Sequence, residues 1–389
     1  MPRGVKVRDD GDGTVYQEGP RRWRAELVID GKKVKRSSTT EKGAKAKLKE
    51  LRALRDARLN VGEGKQTLSA WSRFYLTTIL PGKQVKPMTL EGHTYVIGHY
   101  ILPYLGHHQL IKLNAPHVDE WQQELRAKGL SEGTIANARR RLSAMLAAAC
   151  KRKLVPENVV KLTDKPLSTP RRRDVLDTAQ LTHLLAMLLA EGHRLYALYV
   201  LAAALGLRQG ELMGLRWPAV DLSAGTLIVR EQLQRIKGPD GKRRLHREDS
   251  TKGTREQERI RVLHLSPELV AVLVAHLARQ RQEKLILGDA WRGEDLVFTS
   301  EDGTPLEGSA LGRQFKRALR RAGLPEVTFH SLRHSAGSVM LANGAQLIAV
   351  SEVLGHSSVA VTARIYAHSF DEGRKQAVAA SASALLRRA

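Results

Sequence analysis

Residues His330–Tyr366 read HSLRHSAGSVMLANGAQLIAVSEVLGHSSVAVTARIY and hold three histidines, two arginines and a tyrosine around two short helical runs. Arginine offers a planar fork of donors that matches phosphate oxygens. Histidine can donate a hydrogen bond or carry a proton near neutral pH, and tyrosine can act as a covalent nucleophile. His330 and Arg333 lie one helical turn apart, so both can face one site, and Gly344 and Gly355 are expected to end helices. The stretch predicts a helical site that grips a phosphodiester and attacks it.

The charge balance of the whole chain favours a polyanionic partner. Its 389 residues carry 64 Lys+Arg against 40 Asp+Glu, which gives a net charge of +24. Nucleic acid is the first candidate for such a partner, and a merely cationic soluble protein or a peripheral membrane binder is the alternative. The length allows two or three domains, and a hydrophobic fraction of 42% supports real cores.

Cysteine usage and the distribution of apolar residues exclude several classes of protein. Cys150 is the only cysteine, so neither an intramolecular disulfide nor a thiolate metal cluster can form. The first residues, MPRGVKVRDDGDG, have no apolar run typical of a secretory signal. No run reaches the ~20 apolar residues of a membrane span. We expect an intracellular protein that is not bound to a membrane.

The chain is expected to be mainly α-helical with small β-sheets, in three parts. Residues 1–62 predict a small basic module, a three-stranded sheet plus one helix, with a hairpin turn at Asp30-Gly31. Residues 66–165 predict a helical domain, residues 166–173 a basic linker, and residues 174–389 a mixed α+β domain with a C-terminal tail. The predicted strands of the first part are Gly13–Gln17, Arg22–Ile29 and Lys32–Ser38, and those of the last part are Thr226–Leu233 and Arg259–Leu265.

Basic clusters in the first two parts and in the linker are candidates for phosphate contacts, although each could also be solvated surface. The candidates are Arg22, Arg24, Lys33 and Lys35 in the first module, Arg139, Arg140 and Arg141 in the helical domain, and Arg171, Arg172 and Arg173 in the linker.

Two further segments carry side chains suited to the same chemistry. In Leu205–Trp217 (LGLRQGELMGLRW), Arg208 precedes a helix and Glu211 lies one turn on, where it could brace the guanidinium. The alternative is an exposed i,i+3 pair of little energetic value. In the turn region DSTKGTR, Lys252 stands beside Gly253. Taken singly, each of these residues has an ordinary structural explanation.

Together these segments closely resemble the tyrosine recombinase (phage integrase) family, in its three-domain, arm-binding form. The matching pieces, in order along the chain, are GLRQGEL around Arg208, TKG around Lys252, HSLRH from His330, LGHSS around His356 and ARIYAH around Tyr366. The resemblance implies an arm-type DNA-binding module in residues 1–62, a SAM-like core-binding domain in 66–165 and a catalytic domain in 174–389. The lysine is the weakest carry-over, because Lys237 and Lys242 occupy the same long segment.

The resemblance also implies a mechanism. Tyr366 is expected to attack the scissile phosphate and form a 3′-phosphotyrosyl link, while Arg208, Arg333, His330 and His356 stabilise the developing charge. Lys252 is expected to be the general acid, His330 to assist deprotonation of Tyr366, and Glu211 to orient Arg208. Neither metal, cofactor nor ATP is required by this scheme.

The expected partners and setting follow from the same resemblance. They are double-stranded DNA with core and arm-type attachment sites, a homotetramer on that DNA, an excisionase, a host DNA-bending protein, and the nucleoid of a bacterial host cytoplasm. Two other readings stay open: a type IB topoisomerase that shares this chemistry, and a catalytically silent DNA-binding protein of the same fold.

Overall fold

The computed structural model describes residues 13–29, 32–56, 63–167, 174–237, 243–249, 260–356 and 358–366, with the isolated positions 381, 382 and 386. The chain separates into two compact units, residues 1–170 and 171–389. The predicted class, mainly helical with small sheets, is confirmed. Among the described residues, none of the helices has both the length and the apolar character that crossing a membrane requires.

The first unit begins with an antiparallel sheet covered on one side by a helix. Its elements are β1 (Thr14–Gly19), β2 (Arg22–Ile29), β3 (Lys32–Ser38) and α1 (Glu41–Asp56). Alternate residues of β2, Ala25, Leu27 and Ile29, are buried with Leu48 and Leu51 of α1. The period of two therefore leaves the opposite face of the sheet to polar side chains. The predicted turn Asp30-Gly31 lies outside the described residues.

The rest of the first unit is a helical domain. Its helices are α2 (Leu68–Phe74), α3 (Leu80–Gly82), α4 (Pro87–Val96), α5 (Leu102–Leu105), α6 (Ala115–Ala127) and α7 (Glu132–Lys151). Two π-helical segments, Tyr75–Ile79 and Ile97–Ile101, join α2 to α3 and α4 to α5. Trp71 and Trp121 lie in the core of this domain, and each indole N–H donates to a backbone carbonyl.

The second unit is built from eight helices and five strands over its described residues. The helices are α8 (Thr178–Ala190), α9 (Tyr196–Leu205), α10 (Gln209–Gly214), α11 (Pro267–Leu287), α12 (Gly308–Arg321), α13 (Phe329–Ala342), α14 (Leu347–Leu354) and α15 (Val359–Tyr366). The strands are β4 (Val220–Asp221), β5 (Thr226–Val229), β6 (Glu231–Lys237), β7 (Arg243–Asp249) and β8 (Arg261–His264). A capping box of Asp177 and Gln180 starts α8.

The strands of the second unit differ from the prediction, which contained neither β4 nor β7. The sequence predicts one strand over Thr226–Leu233, which is wrong, because the chain leaves the first sheet after Val229. β5 pairs with β4 and β8, whereas β6 pairs with β7 in a separate hairpin. β6 packs closely on α10, where a Cβ at Gly214 would lie 3.0 Å from the backbone N of Leu233. This packing on α10 ends the first sheet strand and begins the hairpin.

Candidate active site

Arg208 is fixed at the N-terminus of α10. It is the N-cap residue of that helix, and its backbone N–H donates to Oε2 of Glu211 at 2.9 Å. Its Nη1 donates to Oε1 of the same carboxylate at 2.7 Å. Glu211 is only 4% exposed, so this contact is not the exposed surface pair that the spacing also allowed. The buried carboxylate holds the guanidinium in one orientation.

His330 and Arg333 lie one turn apart on α13, but in different environments. His330 is exposed in the first turn, and the centroid of its ring is 5.0 Å from that of His334. Arg333 is only 3% exposed, and its Nη1 donates to the carbonyl of Gly206 at 2.8 Å. A guanidinium this deeply buried is positioned by the fold before any ligand arrives.

The C-terminal end of α14 gathers three arginines from three other parts of the unit. Three consecutive carbonyls there each accept a hydrogen bond from a different guanidinium. The pairs are Val353 with Arg261 at 2.9 Å, Leu354 with Arg333, and Gly355 with Arg208 at 2.8 Å. The last carbonyls of a helix lack intrahelical partners and carry the negative end of the helix dipole. They therefore suit a cluster of cations, and they order it.

His356 follows this cluster directly. Its Nδ1 lies 2.7 Å from Oγ1 of Thr362, which leaves Nε2 as the ring nitrogen that can meet a ligand. Burial, followed by the charges of Arg333, Arg208 and Arg261, lowers the pKa of His356 from 6.5 to about 4. The imidazole is therefore neutral at physiological pH and can donate a hydrogen bond without adding charge.

Tyr366 ends α15 and is buried, with 1% exposure. Its hydroxyl donates to the carbonyl of Arg333 at 3.4 Å and lies against Gly337, where a Cβ would be 2.1 Å from the hydroxyl oxygen. Burial raises the pKa of Tyr366 to about 12, although Arg333 acts in the opposite direction. The tyrosine is thus close to the arginine cluster, with its hydroxyl turned into the protein.

Glu211 is the carboxylate that balances the cationic cluster. Burial alone would raise its pKa, but Arg261 and Arg208 together hold the pKa of Glu211 below its ordinary value. Burial, followed by the nearby Arg208, lowers the pKa of Arg333 to about 9. Arg333 therefore stays charged at neutral pH beside the ionised carboxylate of Glu211.

Arg261 is the contributor that the sequence analysis missed. It lies on β8, its Nη2 is 2.6 Å from Oε2 of Glu211, and its side chain is 11% exposed. The one signal in the sequence was its position in the strand. Arg261 lies on the same face of β8 as Leu263 and Leu265, which are both buried. That signal was ambiguous, since Ile260 and Val262 make the other face of the strand equally apolar in sequence.

The structure brings together Arg208, Glu211, Arg333, His356 and Tyr366. Lys252 lies outside the described residues, as do Arg171, Arg172 and Arg173, so those predictions stay predictions. Over the described part of the chain, no three histidine, cysteine, aspartate or glutamate side chains form a group that could hold a metal ion.

The basic cluster of α7 divides into residues with different surroundings. Arg139 is buried, with 9% exposure, and its Nη2 donates to the carbonyl of Thr163 at 2.6 Å and to that of Val160. This guanidinium is therefore engaged within its own domain, and its burial argues against the predicted phosphate contact. Arg140 is exposed and Arg141 is partly buried over the carbonyl of Gly92.

The candidate cations of the first module share one face of the sheet with two glutamates. Arg22 and Arg24 lie 3.1 and 2.7 Å from Oε2 of Glu18. On the same face, Lys33 lies 3.7 Å and Lys35 lies 3.4 Å from the carboxylate of Glu26. The face is polar and partly self-neutralised, which is compatible with a polyanionic ligand that competes for the same cations.

Comparison with known proteins gives a consistent result. Residues 174–373 match the model of the phage integrase family, and residues 67–126 match that of the phage integrase N-terminal SAM-like domain. The chain is 33% identical over 373 residues to an integrase of Streptomyces ambofaciens, which covers 93% of each chain. It is 36% identical over 191 residues to a tyrosine recombinase XerC-like protein of Caldanaerobacter subterraneus subsp. tengcongensis, over 48% of this chain and 49% of that protein.

Solved structures share the fold at low sequence identity. An integrase of the Tn1549 transposon in complex with transposon right end DNA superposes with a TM-score of 0.66 at 22% identity, over 79% of this chain and 98% of that chain. A lambda integrase tetramer bound to a Holliday junction superposes with a TM-score of 0.56 at 20% identity, over 92% of this chain and 96% of that chain.

Proposed function

This chain belongs to the phage integrase family of tyrosine recombinases, and from that premise we propose that it integrates and excises a mobile element through a covalent bond to Tyr366. It is a site-specific DNA recombinase. The observation that carries the residue assignment is the meeting of Arg208, Arg333, His356 and Tyr366 around the C-terminal end of α14. These residues come from four separate parts of the chain.

Phosphate binding is assigned to Arg208, Arg333 and His356. A pentacoordinate phosphorane places growing negative charge on the non-bridging oxygens, and preorganised donors stabilise it without reorganisation. Guanidinium keeps its charge at working pH. Neutral His356 adds a donor from Nε2, and Glu211 fixes the direction in which Arg208 points.

The cleavage step transfers the phosphoryl group from DNA to the protein. Tyr366 Oη forms a bond to phosphorus, the bond from phosphorus to the 5′-oxygen breaks, and the DNA keeps a 3′-phosphotyrosyl end. The phenolic proton passes to His330, which is exposed on α13, and the leaving 5′-oxygen takes a proton from Lys252. Rejoining reverses these transfers with another strand's 5′-hydroxyl as the nucleophile. The phosphodiester bond energy is conserved, so no ATP is consumed.

The buried hydroxyl of Tyr366 adds a requirement to this step. A phosphate in duplex DNA cannot reach an oxygen that faces Gly337 from inside the unit with a residue exposure of 1%. Either the side chain or α15 must move outward before attack. The same movement removes the burial that raises the pKa of Tyr366, so exposing the hydroxyl also makes it easier to deprotonate.

DNA binding outside the site is assigned to the remaining predicted parts. We propose that residues 1–62 bind arm-type sites through the outer face of the β1–β3 sheet, and that residues 66–165 bind the core site with Arg140 and Arg141. Residues 166–173 would link these to the catalytic part, residues 174–389. Neutralising phosphates releases counterions, so affinity should fall steeply with salt.

The assembly and its setting complete the proposal. Four copies of this chain are proposed to act on two duplexes, as the lambda integrase tetramer on a Holliday junction suggests. An excisionase and a host DNA-bending protein are the proposed accessory partners, and the nucleoid in a bacterial cytoplasm is the proposed place of action.

Trapping of the covalent adduct tests the function. The unaltered protein should form a DNA adduct that survives denaturing electrophoresis on its attachment site, in the presence of excess chelator. Tyr366→Phe should bind the same DNA with unchanged affinity and form no adduct. An adduct in that variant would place the nucleophile elsewhere, and relaxation of any supercoiled plasmid without site preference would instead indicate a topoisomerase.

A further inference from the structure

Arg261 connects two parts of the active site that are distant in sequence. From β8 it reaches Glu211 on α10, with Nη2 2.6 Å from Oε2. Its Nη1 donates to the carbonyl of Val353 on α14 at 2.9 Å. One rigid fork of donors therefore ties the carboxylate that orients Arg208 to the helix end that precedes His356.

The turn after α14 rests directly on this guanidinium. Gly355 has a φ of +63°, and a Cβ at this position would lie 2.6 Å from Nη1 and 2.8 Å from Cζ of Arg261. The left-handed turn and the close approach both require glycine. The main chain just before His356 therefore packs directly on the guanidinium of Arg261, in addition to the hydrogen bond from Arg261 to Val353.

The charge balance around Glu211 depends on Arg261 as well. One buried carboxylate contacts two cations, Arg208 and Arg261. Without Arg261, the carboxylate would keep its burial and lose one of the two charges that favour its ionised form. A protonated Glu211 would no longer accept both hydrogen bonds from Arg208.

We propose that Arg261 is a positioning residue of the recombinase, which orients Arg208 through Glu211 and His356 through the C-terminal end of α14. The proposal rests on the function assigned above to this site. Arg261 itself touches neither the phosphate nor the nucleophile in this scheme. Its effect is on the rate of cleavage rather than on the affinity for DNA.

The test uses the full chain and single-turnover cleavage of a nicked attachment-site substrate. Arg261→Met should lower the cleavage rate per folded molecule by ~100-fold, the size expected when a catalytic group is displaced by about 1 Å. DNA affinity should change little. Arg261→Lys should recover part of the rate, because lysine keeps the charge and loses the fork. Arg320→Met is the matched control, since Arg320 forms an exposed pair with Glu326, and its cleavage rate should equal that of the unaltered protein.

Two further readouts separate positioning from a merely structural role. In Arg261→Met, cleavage should be lost at a higher pH than in the unaltered protein as the pH falls, because Glu211 becomes easier to protonate. The other groups near Glu211 are Arg208, Arg333, His356 and, along the adjoining cavity, Arg216, Arg230 and Glu231. These groups are present both in Arg261→Met and in the unaltered protein, so a difference between the two pH profiles comes from the lost contact between Arg261 and Glu211. In a Glu211→Gln background, adding Arg261→Met should cost much less than ~100-fold, because coupled residues are not additive.

The outcomes are distinguishable. A variant Arg261→Met that cleaves at the normal rate, or loses cleavage only in proportion to its unfolded fraction, overturns the proposal. So do an unshifted pH profile and additive effects with Glu211→Gln. Failure of the function itself would show instead as no adduct with the unaltered protein.

Discussion

Replacing Glu211 with glutamine should be among the most destabilising isosteric changes in the catalytic unit. The carboxylate is 4% exposed and makes three close contacts: to the backbone N–H of Arg208 at 2.9 Å, to its Nη1 at 2.7 Å and to Nη2 of Arg261 at 2.6 Å. Removing one partner of a buried ion pair costs about 3–5 kcal/mol. Glutamine keeps one acceptor oxygen and turns an amide N–H₂ towards a guanidinium, so we expect the lower end, ~3 kcal/mol.

The pH dependence of this effect has a definite sign. The pKa of Glu211 is lowered in the folded protein, so its stabilising contribution is present above the ordinary value of 4.5 and is lost as the pH falls through the lower folded value. The gap in unfolding free energy between Glu211→Gln and the unaltered protein should be constant near neutral pH. It should shrink as the pH falls from 4.5, where the unfolded carboxyl is protonated, through the lower folded value, where the folded carboxyl also becomes neutral.

Urea unfolding and scanning calorimetry of the full chain measure this gap. The matched control is Glu294→Gln, because Glu294 also pairs with two arginines, Arg216 and Arg247, but is 62% exposed. Exposed pairs contribute little, so this control should change the unfolding free energy far less. Equal stability of the two variants at neutral pH, or a gap that does not shrink in acid, would refute the reasoning.

Three other predictions follow from the packing of the site and of the helical domain. Gly337→Ala forces a methyl group against the hydroxyl of Tyr366 and should destabilise the fold by about 1–3 kcal/mol. Gly312→Ala, in open space on α12, should stabilise it by about 0.5–1 kcal/mol. Equal effects of the two substitutions in thermal unfolding would contradict the close contact. Arg139→Met should lower the free energy of unfolding by about 1–3 kcal/mol through its lost hydrogen bonds. Arg140→Met should leave stability unchanged and reduce the slope of log DNA affinity against log salt concentration by about one. The reverse pattern would mean that Arg139 contacts DNA and Arg140 stabilises the fold. In NMR titrations the ring signals of His356 should stay constant through pH 6.5 and shift only near pH 4. The contribution of the neutral imidazole to stability should be lost as the pH falls below 6.5 towards 4. A titration midpoint near 6.5 would mean that the imidazole is not buried beside the arginines.

Local sequence determined most of the secondary structure. β2 and β3 have the predicted bounds, because an alternating pattern is closed on each side by turn residues. The strand predicted over Thr226–Leu233 was wrong for a tertiary reason. Its second half is recruited by α10 and β7, and nothing in the local pattern marks where one partner replaces another.

The sequence by itself also indicated the family, and with it the residues proposed to carry the chemistry. Arg208, Arg333, His356 and Tyr366 stand in motifs whose order and residue identity indicate the family without any coordinates. The packing decided how these residues are used. It bonded Arg208 to a carbonyl 147 residues away in the chain, turned the hydroxyl of Tyr366 inwards, and buried Arg139 against the carbonyls of Val160 and Thr163.

Arg261 shows why the sequence and the folded structure give different information. Both faces of its strand are apolar in sequence, so the two-residue period could not indicate which face is buried. A basic residue there did not stand out in a chain that contains 64 lysines and arginines. Only the folded structure places it between Glu211 and the end of α14. Periodicity and capping depend on neighbours within a few residues, whereas the charge balance of a buried site depends on side chains that meet only after distant segments have packed together.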